Sequence, residues 1–148
     1  MTIVADTGPF LAAINARDEA HRLAASLVTA AGRELLVPDP VVTEVDQLVR
    51  QRVGGEAARR FLADLAAGVH ERVPFGPTLF ARAIDFDRRY ADLGLGLVDA
   101  SVMAVAAATN SAILTFDFTD FRAAPPTHAS SWRLVLSEAD YHREIGRR

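Results

Sequence analysis

Four carboxylates stand where a carboxylate should be expensive. Asp6 follows the apolar run Ile3-Val4-Ala5, and Asp117 follows Ala112 to Phe116. Each therefore closes a short strand and opens a turn. Glu44 has Val41 and Leu48 as its neighbours three residues before and four after, which places it on the apolar stripe of a helix. Asp99 shares its helical face with Val102, Met103 and Ala106. An unpaired buried charge is costly, so Glu44 and Asp99 each need a partner. Taken singly, each has an ordinary reading: a cap or turn for Asp6, Asp99 and Asp117, an arginine ion pair for Glu44. One cause covers all four at once. If they converge at one edge of a sheet they share hard divalent cations, and oxygen-only ligands favour Mg²⁺ or Mn²⁺ over zinc. Two such ions about 3.5 to 4 Å apart activate water and stabilise the leaving oxygen of an in-line displacement, which is nuclease chemistry.

The elements that must position these groups follow from apolar period and turn residues. Ile3 to Ala5, Glu34 to Val37, His70 to Phe75, Ala112 to Phe116 and Trp132 to Leu136 read as strands. Asp6-Thr7-Gly8-Pro9 starts a helix, and further helices are expected from Asp18 to about Ala31, from Val41 to Val53, through Ala58, Phe61 and Leu65 to Gly68, from Leu79 to about Asp92, and from Leu97 to Asn110. Pro38 and Pro40 are expected to break the chain, Asp117 to Arg122 to form a loop or single turn, and the charged C-terminal segment to be helical. Strands alternating with helices, most of them short continuous apolar runs, predict an α/β fold: a three-layer α/β/α sandwich on a mainly parallel central sheet, formed by residues 1–148 as a single domain. In such sheets ligands bind beyond the carboxyl ends of the strands, where Asp6 and Asp117 fall.

Composition removes competing chemistries. The 148 residues include no cysteine, which excludes disulfide scaffolds, thiolate zinc sites and cysteine nucleophiles, and suits a reducing cytoplasm. All 16 basic residues are arginine. Without lysine there is no P-loop, no Schiff base, and no receiver or haloacid-type phosphatase site. A net charge of −3 argues against sequence-blind coating of nucleic acid but leaves room for a local site. No apolar run is long enough to span a membrane, and the N-terminus carries no basic region or cleavage site, so a cytoplasmic protein is expected. Paired arginines such as Arg59-Arg60 and Arg88-Arg89 read as solvated helix faces, and His21, His70, His128 and His142 lack metal-ligand spacing.

Val4-Ala5-Asp6-Thr7, Val42-Thr43-Glu44-Val45, Leu93-Gly94-Leu95-Gly96-Leu97-Val98-Asp99-Ala100 and Ile113-Leu114-Thr115-Phe116-Asp117-Phe118-Thr119-Asp120-Phe121 resemble, in order and spacing, the motifs of PIN-domain ribonucleases, especially VapC-type toxins of toxin-antitoxin pairs. The resemblance implies a Mg²⁺-dependent endoribonuclease, with Mn²⁺ able to substitute, that cleaves RNA phosphodiesters by metal-activated water. It makes Asp6, Glu44, Asp99 and Asp117 both the metal ligands and the catalytic residues. It suggests that Thr7 and Thr115 orient carboxylates or water, where simple turn chemistry is the other reading, and that Asp120 is an outer ligand or else a solvated turn residue. It further implies an RNA substrate, a cognate antitoxin and a homodimer; Phe10, Leu11, Phe61 and Leu62 are candidate exposed apolar residues, although core packing explains them at least as well. The alternative is a non-catalytic PIN-like module that binds RNA or protein; loss of an acidic position would be its mark, and all four are present.

Overall fold

The computed structural model describes residues 1–147. Four strands, β1 (Ile3–Ala5), β2 (Leu35–Pro38), β3 (Glu71–Val73) and β4 (Ala112–Leu114), form a sheet in the order β3-β2-β1-β4. Every pairing is parallel. The strands are as apolar as a sheet covered on both faces requires: β2 and β4 are buried at every residue, and only the edge strand β3 exposes Glu71 and Arg72.

Helices α1 (Thr7–Ile14) and α2 (His21–Ala31) connect β1 to β2, and α3 (Asp39–Arg52) with α4 (Gly55–Ala66) connect β2 to β3. The chain then reverses, crossing through α5 (Pro77–Arg89) and α6 (Gly96–Thr109) to place β4 on the far side of β1. The boundary between β1 and β4 is thus the topological switch point, where α/β sheets open a ligand crevice. Helix α1 packs on α2 and on α3, α3 packs on α4, and α5 packs on α6. Two shorter helices, α7 (Phe118–Ala123) and α8 (Glu138–Ile145), complete the described chain.

The core explains the spacing of its helices. Val41, Val45 and Val49 of α3 are fully buried, as is every residue of α6 from Ala100 to Ala106. The expectation of a helix apolar nearly all round therefore holds for α6, which lies between the sheet and α5. Gly94 (φ 62°) and Gly96 (φ 82°) make the left-handed bends that turn the chain into α6, and a side chain at either would be strained.

Several expectations are corrected. Trp132 to Leu136 does not form a strand; it makes a single parallel bridge, Ile113 with Leu134. The Trp132 indole is instead drawn into the core, where its Nε1 donates to the Ala124 carbonyl at 2.7 Å, and pairing does not continue. Helix α2 begins at His21 rather than Asp18, because the Asn15 and Asp18 side chains accept from Arg17 N and Ala20 N and hold a turn there. Pro38 ends β2 and Pro40 sits in the first turn of α3, where a missing N–H removes no helical bond, so neither proline breaks the chain. Residues 118–123 are a helix. Of the two readings open for Phe10 and Phe61, core packing holds: they meet edge to face at 5.2 Å with only 3% and 6% exposure. Leu11 and Leu62 are half-buried against the same core.

Candidate metal centre

Two strand ends and two helices bring the acidic residues to the switch point. The sheet register continues one residue past β1, where Asp6 N donates to Leu114 O at 2.9 Å, so Asp6 stands beside the end of β4. Asp6 also caps α1: its Oδ1 accepts from Thr7 N at 2.8 Å. Its Oδ2 accepts from the Thr115 hydroxyl at 2.8 Å, and that same hydroxyl accepts from Asp117 N at 2.9 Å. Asp117 in turn caps α7 by accepting from Asp120 N at 3.2 Å. The capping reading of Asp6 and Asp117 is therefore correct as far as it goes, and it leaves their remaining lone pairs free.

Asp99 lies in the first turn of α6 and Glu44 midway along α3, both half-buried, and these two helices pack on one another. With Asp6, Asp117 and Thr7 they line one open cavity of about 440 Å³, completed by Gly8, Leu11 and Phe116. Neither Asp99 nor Glu44 has an arginine partner among the described residues; the arginines that pair do so elsewhere, as Arg50 with Asp46 and Arg60 with Glu56. Asp120 belongs with the group more closely than its sequence position suggests. Carboxylate oxygens of Asp99, Asp117 and Asp120 all lie within 4.8 Å of one another.

The electrostatics record this crowding. Burial, followed by the neighbouring charges of Asp117 and Glu44, pushes the Asp6 carboxyl up to about 6, although hydrogen bonds from Thr115 and Thr7 pull the other way. Burial and then the charges of Asp6, Asp117 and Asp120 push Asp99 up to about 8. Asp117 is raised as well, by desolvation and by Asp120. A cluster that resists ionisation on its own is what a cation would relieve. The donors are all oxygens, with no histidine lining the cavity, and they suit a hard divalent ion such as Mg²⁺ or Mn²⁺. Thr7, which lines the cavity, adds a second indication: its buried Oγ1 has no hydrogen-bond partner.

His21 and His70 are structural, their Nδ1 atoms bonded to the carbonyls of Ala12 and Gly32 at 2.9 and 2.7 Å. Asp92 lies exposed in a 3-10 turn, Ala91–Leu93, outside the cavity. Sequence reading did not single out Gly8, Leu11 or Phe116 as cavity walls. Only the positions of Gly8 and Phe116, each two residues or fewer from an acidic ligand candidate, offered a signal.

A parallel sheet reversing between β1 and β4, with carboxylates gathered at that reversal, defines a fold shared with known proteins. The PIN domain family matches residues 3–125, and the chain belongs to that family. Within it the chain is of VapC type: it is 30% identical over 134 residues to Ribonuclease VapC26 of Mycobacterium tuberculosis, spanning 90% of this chain and 99% of that protein. The crystal structure of Mycobacterium tuberculosis VapC20, a Sarcin-Ricin loop cleaving toxin, superposes with a TM-score of 0.73 at 24% identity, covering 80% of this chain and 92% of that one. DNA-bound VapBC from Salmonella typhimurium gives a TM-score of 0.66 at 14% identity over 90% of this chain and 96% of that one. The fold is the predicted α/β sandwich, with its sheet entirely parallel.

Proposed function

We propose that this chain is a divalent-metal-dependent endoribonuclease acting as the toxin of a toxin-antitoxin pair, with Asp6, Glu44, Asp99 and Asp117 as its metal-holding and catalytic residues. The observation that carries the reading is the convergence of these carboxylates, unpaired by any arginine among the described residues, in one cavity at the switch point of the sheet. When bound there, Mg²⁺ or Mn²⁺ supplies the charge that activates a water and stabilises the leaving oxygen of a phosphodiester.

The chain's own residues have distinct tasks. Asp6 is the fixed member, held through both oxygens by Thr7 N and the Thr115 hydroxyl. Asp99 and Asp117, less buried, face the open side with Asp120 close to both, and we assign Asp120 to the same ligand group. Glu44 joins them from α3. Thr7 offers a hydroxyl to a water or a ligand oxygen. Without a cation this arrangement repels an RNA phosphate, so substrate entry and metal loading are coupled.

The VapC relatives support an antitoxin partner for this chain, and we include that partner, a homodimeric assembly and a cytoplasmic site of action in the proposal. No helix among the described residues is long and apolar enough to cross a membrane. The test is expression in a bacterial host. The wild-type chain arrests growth, Asp99→Asn does not, and co-expression of the small protein encoded beside it restores growth and co-purifies with it. Growth arrest of equal depth from Asp99→Asn at equal expression would contradict the assignment.

A further inference from the structure

A second cavity, of about 530 Å³, opens beside the acidic one, and Glu44 lines both. Phe75 after β3, Pro40 of α3, and Leu97 and Val98 at the start of α6 form its apolar side, and Asp39, Thr43, Glu44 and Gln47 of α3 its polar side. Leu97 is 48% exposed, and Phe80, whose ring meets Phe75 edge to face at 5.9 Å, is 46% exposed. The exposed carboxamide of Gln47, one turn along α3 from Thr43, stands at the rim. No positive charge lines this space. Arg72 is close by but is committed to Asp39 in an ion pair of 2.7 Å, and Asp39 also accepts from Phe75 N at 3.4 Å, which fixes the backbone that carries the ring.

These features select among ligands. A wall holding Asp39 and Glu44 with no free cation excludes a phosphate and an acidic peptide. An aromatic ring, two aliphatic side chains and a carboxamide presenting a donor beside an acceptor suit a flat, neutral group with a polar edge. Single-stranded RNA carries such groups, and unpaired bases are held by stacking on aromatic rings and by hydrogen bonds to their edges. Because Glu44 belongs to both cavities, a nucleotide whose phosphate lies among the carboxylates has its neighbouring base within reach of this one. We propose that the cavity between α3, the end of β3 and the start of α6 is a base-binding subsite, in which Phe75 and Leu97 sandwich one unpaired nucleobase flanking the scissile phosphate and Gln47 reads its edge. The inference rests on the ribonuclease reading above and adds where its selectivity resides.

The test reads binding rather than cleavage. Phe75→Trp places an indole in the cavity, while Trp132, 7% exposed and hydrogen-bonded in the core, gives a constant background that the wild-type chain measures. The probes are a single-stranded oligoribonucleotide of random sequence and an abasic ribose-phosphate oligomer of the same length, each titrated in Ca²⁺, an ion that takes oxygen ligands. The base-bearing oligomer should quench the new indole and the abasic one should not. In parallel, Phe75→Ala should weaken binding of the base-bearing oligomer about 5- to 150-fold, the span of base–aromatic stacking, and leave the abasic oligomer unaffected. Equal quenching by both oligomers, or equal losses for both, overturns the subsite. Sedimentation that shows Phe75→Ala dissociating a dimer, with oligomer affinity unchanged, assigns the face to a second copy instead. A chain that cuts RNA but shows none of the base-dependent effects refutes this inference alone, whereas base-dependent quenching in a chain that never cuts refutes the nuclease reading alone.

Discussion

Thr115 holds Asp6: its hydroxyl donates to Asp6 Oδ2 at 2.8 Å, and it can do so in one orientation because it also accepts from Asp117 N at 2.9 Å. One buried hydroxyl thereby joins the residue that follows β1 to the turn after β4 and sets the separation of two acidic groups. Replacing it by an isosteric methyl in Thr115→Val leaves Asp6 Oδ2 without its donor and Asp117 N without an acceptor, while Thr7 N still donates to Asp6 Oδ1. The expected loss of stability is about 1–3 kcal/mol, since each is a buried group left unsatisfied. RNA cleavage should fall with it, while Thr115→Ser keeps both bonds and most of the activity. Urea unfolding of the two variants, read beside cleavage of the same preparations, checks this; a Thr115→Val protein as stable and active as Thr115→Ser would contradict it.

The crowded carboxylates make stability depend on pH with a definite sign. In the metal-free fold Asp6 keeps its proton up to about 6 and Asp99 up to about 8, whereas in the unfolded chain both ionise near their ordinary value of 3.8. The folded state therefore binds more protons than the unfolded state between these limits, and stability falls as pH rises. A chelated sample should melt at progressively lower temperature from about pH 5 to about pH 8, with the Asp99 contribution levelling off above its folded value of about 8. Saturating Mn²⁺ at the upper end should restore the melting temperature, because the ion needs the ionised ligands. A melting curve in chelator that is flat or rises over that range would show that these carboxylates are not crowded in the folded protein.

Asp99→Asn separates structure from chemistry. It removes the carboxyl that burial and then the charges of Asp6, Asp117 and Asp120 push up to about 8, so the metal-free variant should melt above the metal-free wild type near pH 8. It should also lose the Mn²⁺ response. Differential scanning calorimetry with and without metal reads both effects, and a wild-type-sized Mn²⁺ shift in Asp99→Asn would remove Asp99 from the ligand set.

Asp120 distinguishes two versions of the site. If the Asp99, Asp117 and Asp120 oxygens act together, as their mutual distances within 4.8 Å indicate, Asp120→Ala weakens Mn²⁺ binding and lowers cleavage by at least about tenfold, a loss of roughly 1.4 kcal/mol. Its backbone N–H, which Asp117 uses as a cap, is retained, so the fold should keep its melting temperature. Titration calorimetry with Mn²⁺ decides the point. Unchanged affinity would return Asp120 to a solvated turn.

Legibility in the sequence followed local physics. β1, β2 and β4 were readable because strands buried on both faces need continuous apolar runs, and α6 because nothing polar interrupts Ala100 to Ala106 except Ser101, which donates to Val98 O at 2.7 Å. The convergence of Asp6, Glu44, Asp99 and Asp117 on one cavity was legible because a carboxylate on an apolar face signals an unmet need. What escaped was decided by tertiary contacts. Trp132 to Leu136 has the composition of a strand, but the indole's bond to Ala124 fixes the chain after a single bridge. For Phe10 and Phe61 the apolar pattern leaves an exposed face and core packing both open, and their contact across α1 and α4 decides for the core. The adjoining cavity under Phe75 draws on three separate segments, and no local pattern announces it.

The most direct test of the central claim is cleavage of total cellular RNA by purified wild-type and Asp99→Asn protein in Mg²⁺, Mn²⁺ or chelator, with new 5′ ends mapped. The account predicts discrete cuts by the wild type in either metal, none in chelator, and none by Asp99→Asn under any condition. Cuts that persist in chelator, or that Asp99→Asn makes at the same positions and rate, would contradict it.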